Sequence, residues 1–264
     1  MSGSVSLAIS GRLARVTLAH PGKFNAMSRA MWQQLRLVFE DLQKNPQLRC
    51  VLISGENNHF CAGGDISEYA SFRFAADSLR DFHENDVWGG LQAMLACDLP
   101  IVAQIEGNCL GAGLEIASCC DLRLAGTSAR FGAPIAKLGF PMAPREAALV
   151  LRAVGELTAR ELLLSAALLP ASEMQQRGFL NHALADDALD AAVQSCVERI
   201  CGLAPGATRL NKQVFRALTL ANSAQPAIDL IANAYTYAAG PEHREGIAAF
   251  IEKRKPDFAH PAIA

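Results

Sequence analysis

Two stretches of the chain follow one plan, a short β-favouring apolar run that empties into a loop of small residues, and this repetition is the strongest constraint on the fold. Residues 50–54 (Cys-Val-Leu-Ile-Ser) run into a loop that closes on Phe60-Cys61-Ala62-Gly63-Gly64-Asp65-Ile66. Residues 101–105 run into a second loop that closes on Gly111-Ala112-Gly113 and opens a helical pattern at Leu114. A further strand pattern at 122–125 follows that helix. Strand, loop and helix recurring in this order predict an α/β chain of parallel strands joined by crossover helices.

The flanking segments are read in the same way. Alternation over 5–9 and 12–18 predicts a hairpin turning at Ser10-Gly11, and Ser28 is placed to cap a helix bearing Met31, Leu35, Val38, Phe39 and Leu42 that ends near Asn45-Pro46. Residues 66–96 carry weak helical patterns broken at Gly89-Gly90 and are expected to form a variable wall. From about residue 144 the pattern is almost wholly helical and strand signals nearly vanish, with Ser172-Glu173-Met174-Gln175 matching a capping box and Gly178 a helix C-cap. The segments 187–201, 207–220, 226–239 and 242–253 read as a helical appendage. This divides the chain into a core over 1–200 and a C-terminal helical region over 201–264, with a soft boundary near 190–205.

Composition narrows the function. A hydrophobic share of 51% with 19% charged residues fits a chain of 264 residues that buries a sizeable core, and surplus apolar surface often ends in a subunit interface. The formal net charge of −2 gives no reason to expect nucleic acid or an anionic membrane as partner. The segment Met1-Ser2-Gly3-Ser4 lacks the features of a secretion signal, and no apolar run is long enough to span a bilayer, so a cytoplasmic protein is expected. The eight cysteines sit inside apolar stretches and read as reduced core residues; without a Cys-x-x-Cys or a His pair at ligand spacing, no metal is expected.

The two loops suggest where chemistry could occur. Small residues from Cys61 to Asp65 allow close approach to backbone N–H groups, although an isolated Ala-Gly-Gly-Asp is more often a plain turn. The second loop enters a helix, so the N–H near Ala112 combines an unpaired donor with the positive end of the macrodipole, a good place for an oxyanion. Ile116 stands where the third glycine of a dinucleotide fingerprint would be, which excludes that reading. Asp65 reads as a loop-stabilising acceptor, and Cys61, Cys109 and His59 as packing or loop residues.

With these loops in place, the chain resembles the enoyl-CoA hydratase/isomerase (crotonase) superfamily nearly from end to end. The resemblance rests on His20-Pro21-Gly22-Lys23-Phe24-Asn25-Ala26, on Phe60 to Asp65, on Gly107 to Glu115, on Cys120-Asp121 and Phe131-Gly132, and on Arg244-Glu245-Gly246 through Phe250-Ile251-Glu252-Lys253-Arg254. It implies a crotonase-like spiral of ββα turns with a C-terminal helical trimerisation region, assembling as trimers or hexamers. It implies an acyl-CoA thioester as substrate, with coenzyme A part of the substrate and no separate cofactor. The N–H groups of Ala62 and Ala112 would form an oxyanion hole. Lys23, Phe24, Ala26, Ala62, Gly64, Asp65, Ile66 and Gly111 would line the substrate, with Lys253 or Arg254 near the nucleotide phosphates. A solvated role for Lys23 and Lys253 is equally compatible with the sequence.

Glu115, three residues beyond Ala112, is the leading acid/base candidate. The resemblance also exposes a departure. Hydratases of the family carry a second glutamate in a Phe-Gly-x-Pro-Glu segment, whereas this chain reads Phe131-Gly132-Ala133-Pro134-Ile135. Hydration through Glu115 leads the expectations. Isomerisation, decarboxylation or thioester hydrolysis on the same oxyanion hole, or binding with little turnover, stay open beside it. Glu146, Glu84 and Asp86 are candidate substitutes, but each reads more naturally as a solvated charge.

Overall fold

The structure is a computed structural model that describes residues 2–221 and 235–256. β1 (Ser4–Ser10) and β2 (Leu13–Ala19) form the expected antiparallel hairpin, turning through Gly11 at φ 58°. From β2 the sheet grows by parallel pairing with β3 (Cys50–Gly55), β4 (Ile101–Ile105), β6 (Leu122–Gly126) and β9 (His182–Leu184), in the order β1-β2-β3-β4-β6-β9. A smaller sheet joins β5 (Asn108–Leu110), β7 (Arg130–Gly132) and β8 (Leu168–Pro170).

The apolar runs of β3 and β4 are covered on both faces, as parallel strands require. Val51, Ile53, Ile101 and Ala103 face a cluster that includes Trp32, Leu35 and Phe39 of α1 (Arg29–Leu42). Cys50, Leu52 and Val102 face Leu189, Val193, Cys196, Val197 and Ile200 of α8 (Asp186–Gly202). Burying each such aliphatic side chain contributes about 1.5–3 kcal/mol, so both helices are fastened by the alternation of the strands between them. Ser28 caps α1 as expected, accepting from the Met31 N–H at 3.2 Å. Seven of the eight cysteines are buried, Cys201 is half-buried, and all eight are free thiols.

Three expectations are corrected. Strand does not vanish after residue 144: β8 and β9 are three residues each, too short to show a period of two, and are held by pairing with β7 and β6. Ser172 does not cap a helix, because α7 (Ala171–Gln176) begins one residue earlier behind Pro170, although Gly178 does end it at φ 82°. Gly89-Gly90 does not break a helix either. α2 (Ala76–Asp81), a π-helical turn at Phe82–Val87 and α3 (Trp88–Ala96) run on without interruption, and a Cβ at Gly90 would sit 3.0 Å from the Trp32 ring, so this glycine lets α3 close on α1.

In the C-terminal region, α9 (Pro205–Ala221) is tied to the core by its polar face. Lys212 Nζ donates to Leu99 O at 2.8 Å and Asp121 at 2.7 Å, Gln213 and Arg216 reach Asp98, and Arg209 reaches Leu48 O. Its apolar Leu210 and Val214 are turned outward, 62% and 53% exposed. The helix expected over 226–239 falls largely outside the described residues; α10 (Pro241–Ile251) follows. No helix among the described residues is long and apolar enough to cross a membrane.

Candidate active site

The two small-residue loops lie side by side because their backbones pair. Cys61 N–H donates to Asn108 O at 2.8 Å, Leu110 N–H to Cys61 O at 2.9 Å, and Phe60 N–H to Glu106 O at 2.8 Å. The approach leaves no room for a side chain at Gly113, where a Cβ would stand 2.5 Å from Cys61 O. Gly111, at φ 47° and ψ −110°, holds a conformation rarely open to other residues while its own N–H donates to Gly132 O. The first loop is stitched in turn to the segment after Lys23, with Met27 N–H donating to Gly63 O and Asp65 N–H to Met27 O, both at 2.8 Å.

This stitching separates the two amides expected to act as donors. Ala112 opens α4 (Ala112–Ser118), and its N–H has no acceptor among the described residues, as helix-start geometry requires. The Ala62 N–H, by contrast, donates to Phe24 O at 3.0 Å and is already used. The next two amides, those of Gly63 and Gly64, have no acceptor among the described residues, because in the bridge to Met27 Gly63 offers its carbonyl and Asp65 its N–H, which turns the Gly64 N–H away from Met27. Parallel bridging directs alternate peptide groups to opposite sides, which the one-dimensional pattern did not register.

Asp65 is the loop-stabilising acceptor expected. It takes the Ser67 N–H at 3.1 Å, the Ser67 hydroxyl at 2.7 Å and Lys23 Nζ at 2.6 Å. Burial pulls its carboxyl upward, but the bonds from Lys23 and Ser67 outweigh this and hold it below the usual range. Lys23 is thus an ion-pair partner at the loop, half exposed, rather than a wholly solvated lysine. Phe24 and Asn25 adopt positive φ (47° and 59°), and Ala26 closes the turn by donating to Lys23 O. Ile66 begins a 3-10 helix (Ile66–Ser71) and packs on the core. Lys253 lies exposed beyond α10, with no ion pair among the described residues, and Arg254 pairs with Glu245 and Glu252. His59 Nδ1 accepts the Asn108 N–H at 3.2 Å, a loop-holding role, and burial pushes the Cys61 thiol up to about 12, which removes it as a nucleophile.

Glu115 sits in the first turn of α4, partly accessible, with no hydrogen bond to its carboxyl among the described residues. Burial, then repulsion from Glu146, push its carboxyl up to about 8 against the opposing charge of Arg73. Glu146 is the principal correction. It is not a solvated charge but 1% exposed, in the first turn of α5 (Pro144–Val154), and burial raises it likewise to about 8. Its Oε1 lies 3.0 Å from Nδ1 of His83, which burial holds neutral well below its ordinary range. Asp86 is buried too, 2.5 Å from Arg29 and bonded to Gln33, and Glu84 accepts from Tyr235 at 2.7 Å beside Arg145. The π-helical turn at Phe82–Val87 brings these three residues inward, a geometry that hydrophobic periodicity does not anticipate. Glu146 did leave a signal: it precedes Leu149, Val150 and Val154 at helical spacing, on the buried stripe of α5.

Two aromatic neighbours complete the site. The Tyr69 hydroxyl lies so close to Gly64 that a Cβ there would be 2.1 Å from it. The guanidinium of Arg73 lies over the Tyr69 ring at 4.2 Å and the Phe140 ring at 4.0 Å. Ile135 packs against the core as an ordinary apolar residue.

The chain as a whole is similar to known proteins over nearly its entire length. The family model described as enoyl-CoA hydratase/isomerase matches residues 8–261. A Mycobacterium leprae protein described as a "probable enoyl-CoA hydratase" is 32% identical over 250 residues, covering 94% of this chain and 95% of the other. The 2,3-dehydroadipyl-CoA hydratase of Escherichia coli is 32% identical over 249 residues, with 94% and 95% covered. Among solved structures, an enoyl-CoA hydratase/carnithine racemase from Magnetospirillum magneticum superposes with a TM-score of 0.80 at 34% identity, covering 96% of this chain and 94% of that one.

Proposed function

The chain belongs to the enoyl-CoA hydratase/isomerase family and is an enzyme of hydratase-like type, and from that premise we propose that it adds water reversibly across the double bond of an enoyl-CoA thioester. The observation that carries this reading is the second carboxylate. Hydration needs a base for water and an acid for the α-carbon, and Glu146 beside Glu115 supplies the partner that Ile135 withholds. The reaction divides accordingly. One ionised member of the pair takes a proton from water as its oxygen bonds to the β-carbon. The π electrons move into the thioester, and the enolate oxygen is held by the N–H groups of Gly64 and Ala112. The protonated member then delivers its proton to the α-carbon. Donors already aimed at the developing charge cost no reorganisation during the reaction. The segment Lys23 to Ala26 with Asp65 and Ile66 would carry the coenzyme A moiety, and no separate cofactor enters.

The test is loss of the conjugated thioester absorbance with short enoyl-CoAs, in wild type and in Glu146→Gln. Since both carboxyls titrate near 8, the singly ionised pair is scarce in acid, and wild-type kcat/KM should rise as pH approaches about 8. Glu146→Gln should be slower, and what activity remains should titrate at lower pH, because the repulsion that lifts Glu115 has gone. An unchanged rate and pH profile in this variant would remove Glu146 from the reaction.

Folding stability checks the same pair. A carboxyl raised from 4.5 to about 8 in the folded state favours the fold fully below the lower value, and this contribution is lost as pH rises through the higher one. Thermal denaturation should therefore show wild type losing stability relative to Glu146→Gln as pH increases over that interval. Parallel curves would mean that Glu146 ionises normally.

The outward apolar face of α9, with Leu210 and Val214, supports assembly through the C-terminal region into a trimer or a hexamer. Sedimentation velocity should give a trimer or a multiple of it, and the double variant Leu210→Glu with Val214→Glu should shift the protein towards monomer. A monomeric wild type would overturn this.

A further inference from the structure

Arg73 follows the 3-10 helix that begins at Ile66, with its backbone N–H donating to Tyr69 O at 2.8 Å. Its side chain is 1% exposed, and its guanidinium lies 4.2 Å from the Tyr69 ring and 4.0 Å from the Phe140 ring, two rings set edge to face with centroids 6.0 Å apart that meet it from two sides. The N–H groups on its edge are a different matter. Nε and Nη2 are buried with no hydrogen-bond acceptor, and no carboxylate among the described residues lies at ion-pairing distance. Arg145 by contrast has the carboxylate of Glu84 at 2.9 Å, and Arg29 has that of Asp86 at 2.5 Å. A buried, always-charged group left in this state is costly, and natural proteins keep such groups where a ligand completes them.

Its position identifies the ligand. The Tyr69 ring beside Arg73 carries the hydroxyl that abuts Gly64, one of the loop amides without an acceptor among the described residues. The charge of Arg73 also acts on Glu115 and on Glu146. Arg73 is therefore joined to the oxyanion loop through one side chain, Tyr69. Among the described residues neither glutamate lies at ion-pairing distance from it. A guanidinium edge presenting parallel N–H groups matches the two oxygens of a carboxylate.

We propose that Arg73 receives a carboxylate on the acyl portion of the substrate, so that the preferred substrate is an enoyl thioester whose acyl chain ends in a carboxylate rather than in hydrocarbon. This rests on the reading of the site as a thioester-enolate site and adds the class of acyl chain. Tyr69 and Phe140 hold the guanidinium in place, and its specificity acts through charge and fork geometry.

The experiment compares substrates matched in length: pentenoyl-CoA with glutaconyl-CoA, and 2-hexenoyl-CoA with 2,3-dehydroadipyl-CoA. At one length or more, wild-type kcat/KM should favour the carboxylated member by roughly 10–100-fold, the range for hydrogen bonds to a charged group. Arg73→Met should abolish that preference, bringing the ratio of the two kcat/KM values close to one whatever the loss of its charge does to the common rate through the glutamate pair, and Arg73→Lys should keep part of it. A wild type that prefers hydrocarbon at both lengths, or an Arg73→Met variant that loses both substrates equally, would overturn the proposal and leave Arg73 as a packing residue. If no enoyl-CoA is turned over, the hydratase reading fails by itself, and calorimetric titration with adipyl-CoA and hexanoyl-CoA still decides this one. Tighter adipyl-CoA binding that Arg73→Lys weakens supports it, and equal affinities overturn it.

Discussion

Glu115→Gln should lower kcat on enoyl-CoA substrates by about 10²–10⁴-fold, the range that a positioned acid or base contributes. The change keeps the shape of the side chain and removes only its ability to exchange a proton. Glu115 is the carboxylate of the pair with an accessible face and no hydrogen bond among the described residues, so it meets substrate most directly, and no bond within the described residues is broken by the substitution. KM should move little, because the amides of Gly64 and Ala112 and the Lys23 segment are untouched. Thermal stability should hold or rise, since the fold is relieved of a carboxyl that burial and Glu146 push up to about 8. Full activity in this variant would move the chemistry elsewhere, with Glu146 the next residue to replace.

Ala112→Pro should have a comparable effect by another route. Ala112 is the first residue of α4 and its N–H has no acceptor in the fold, so proline there removes a donor without removing a helix bond. If that N–H stabilises the enolate oxygen, its loss should reduce kcat by about 10²–10³-fold. The helix itself should persist, which circular dichroism and the melting temperature can verify. A folded Ala112→Pro protein that retains its rate would show that the oxyanion is held otherwise. The equivalent logic does not apply at Ala62, whose N–H already bonds Phe24 O; proline there would disrupt the loop and report on folding alone.

Most of the architecture was legible in the sequence because it follows from local periodicity. The hairpin turning at Gly11, the Ser28 cap, the strands that end in small-residue loops and the Gly178 helix end each depend on residues adjacent in the chain. β8 and β9 were not legible, because three residues carry no period and only pairing with β7 and β6 makes them strands. Gly89-Gly90 was misread for a related reason. A glycine pair weakens an isolated helix, but here Gly90 gives α3 room to pack against Trp32, and tertiary contact overrides propensity.

The site divides along the same line. The two loops, Ala112 and the position of Glu115 follow from the sequence itself, since a small-residue turn entering a helix yields an unpaired N–H with a carboxylate one turn away wherever it occurs. That the Ala62 amide is taken required the structure, because its acceptor, Phe24 O, comes from a segment distant in the chain. Glu146 required it as well. It lies 31 residues beyond Glu115 in the chain, and only the packing of α5 against α4, with His83 carried inward by the π-helical turn, turns an ordinary charge into a buried one. Sequence determined the groups that backbone geometry makes available. Tertiary structure decided which charges lose their water, and desolvation, a property of surroundings and not of neighbours in the chain, is what lifts both carboxyls towards the pH at which they can exchange protons.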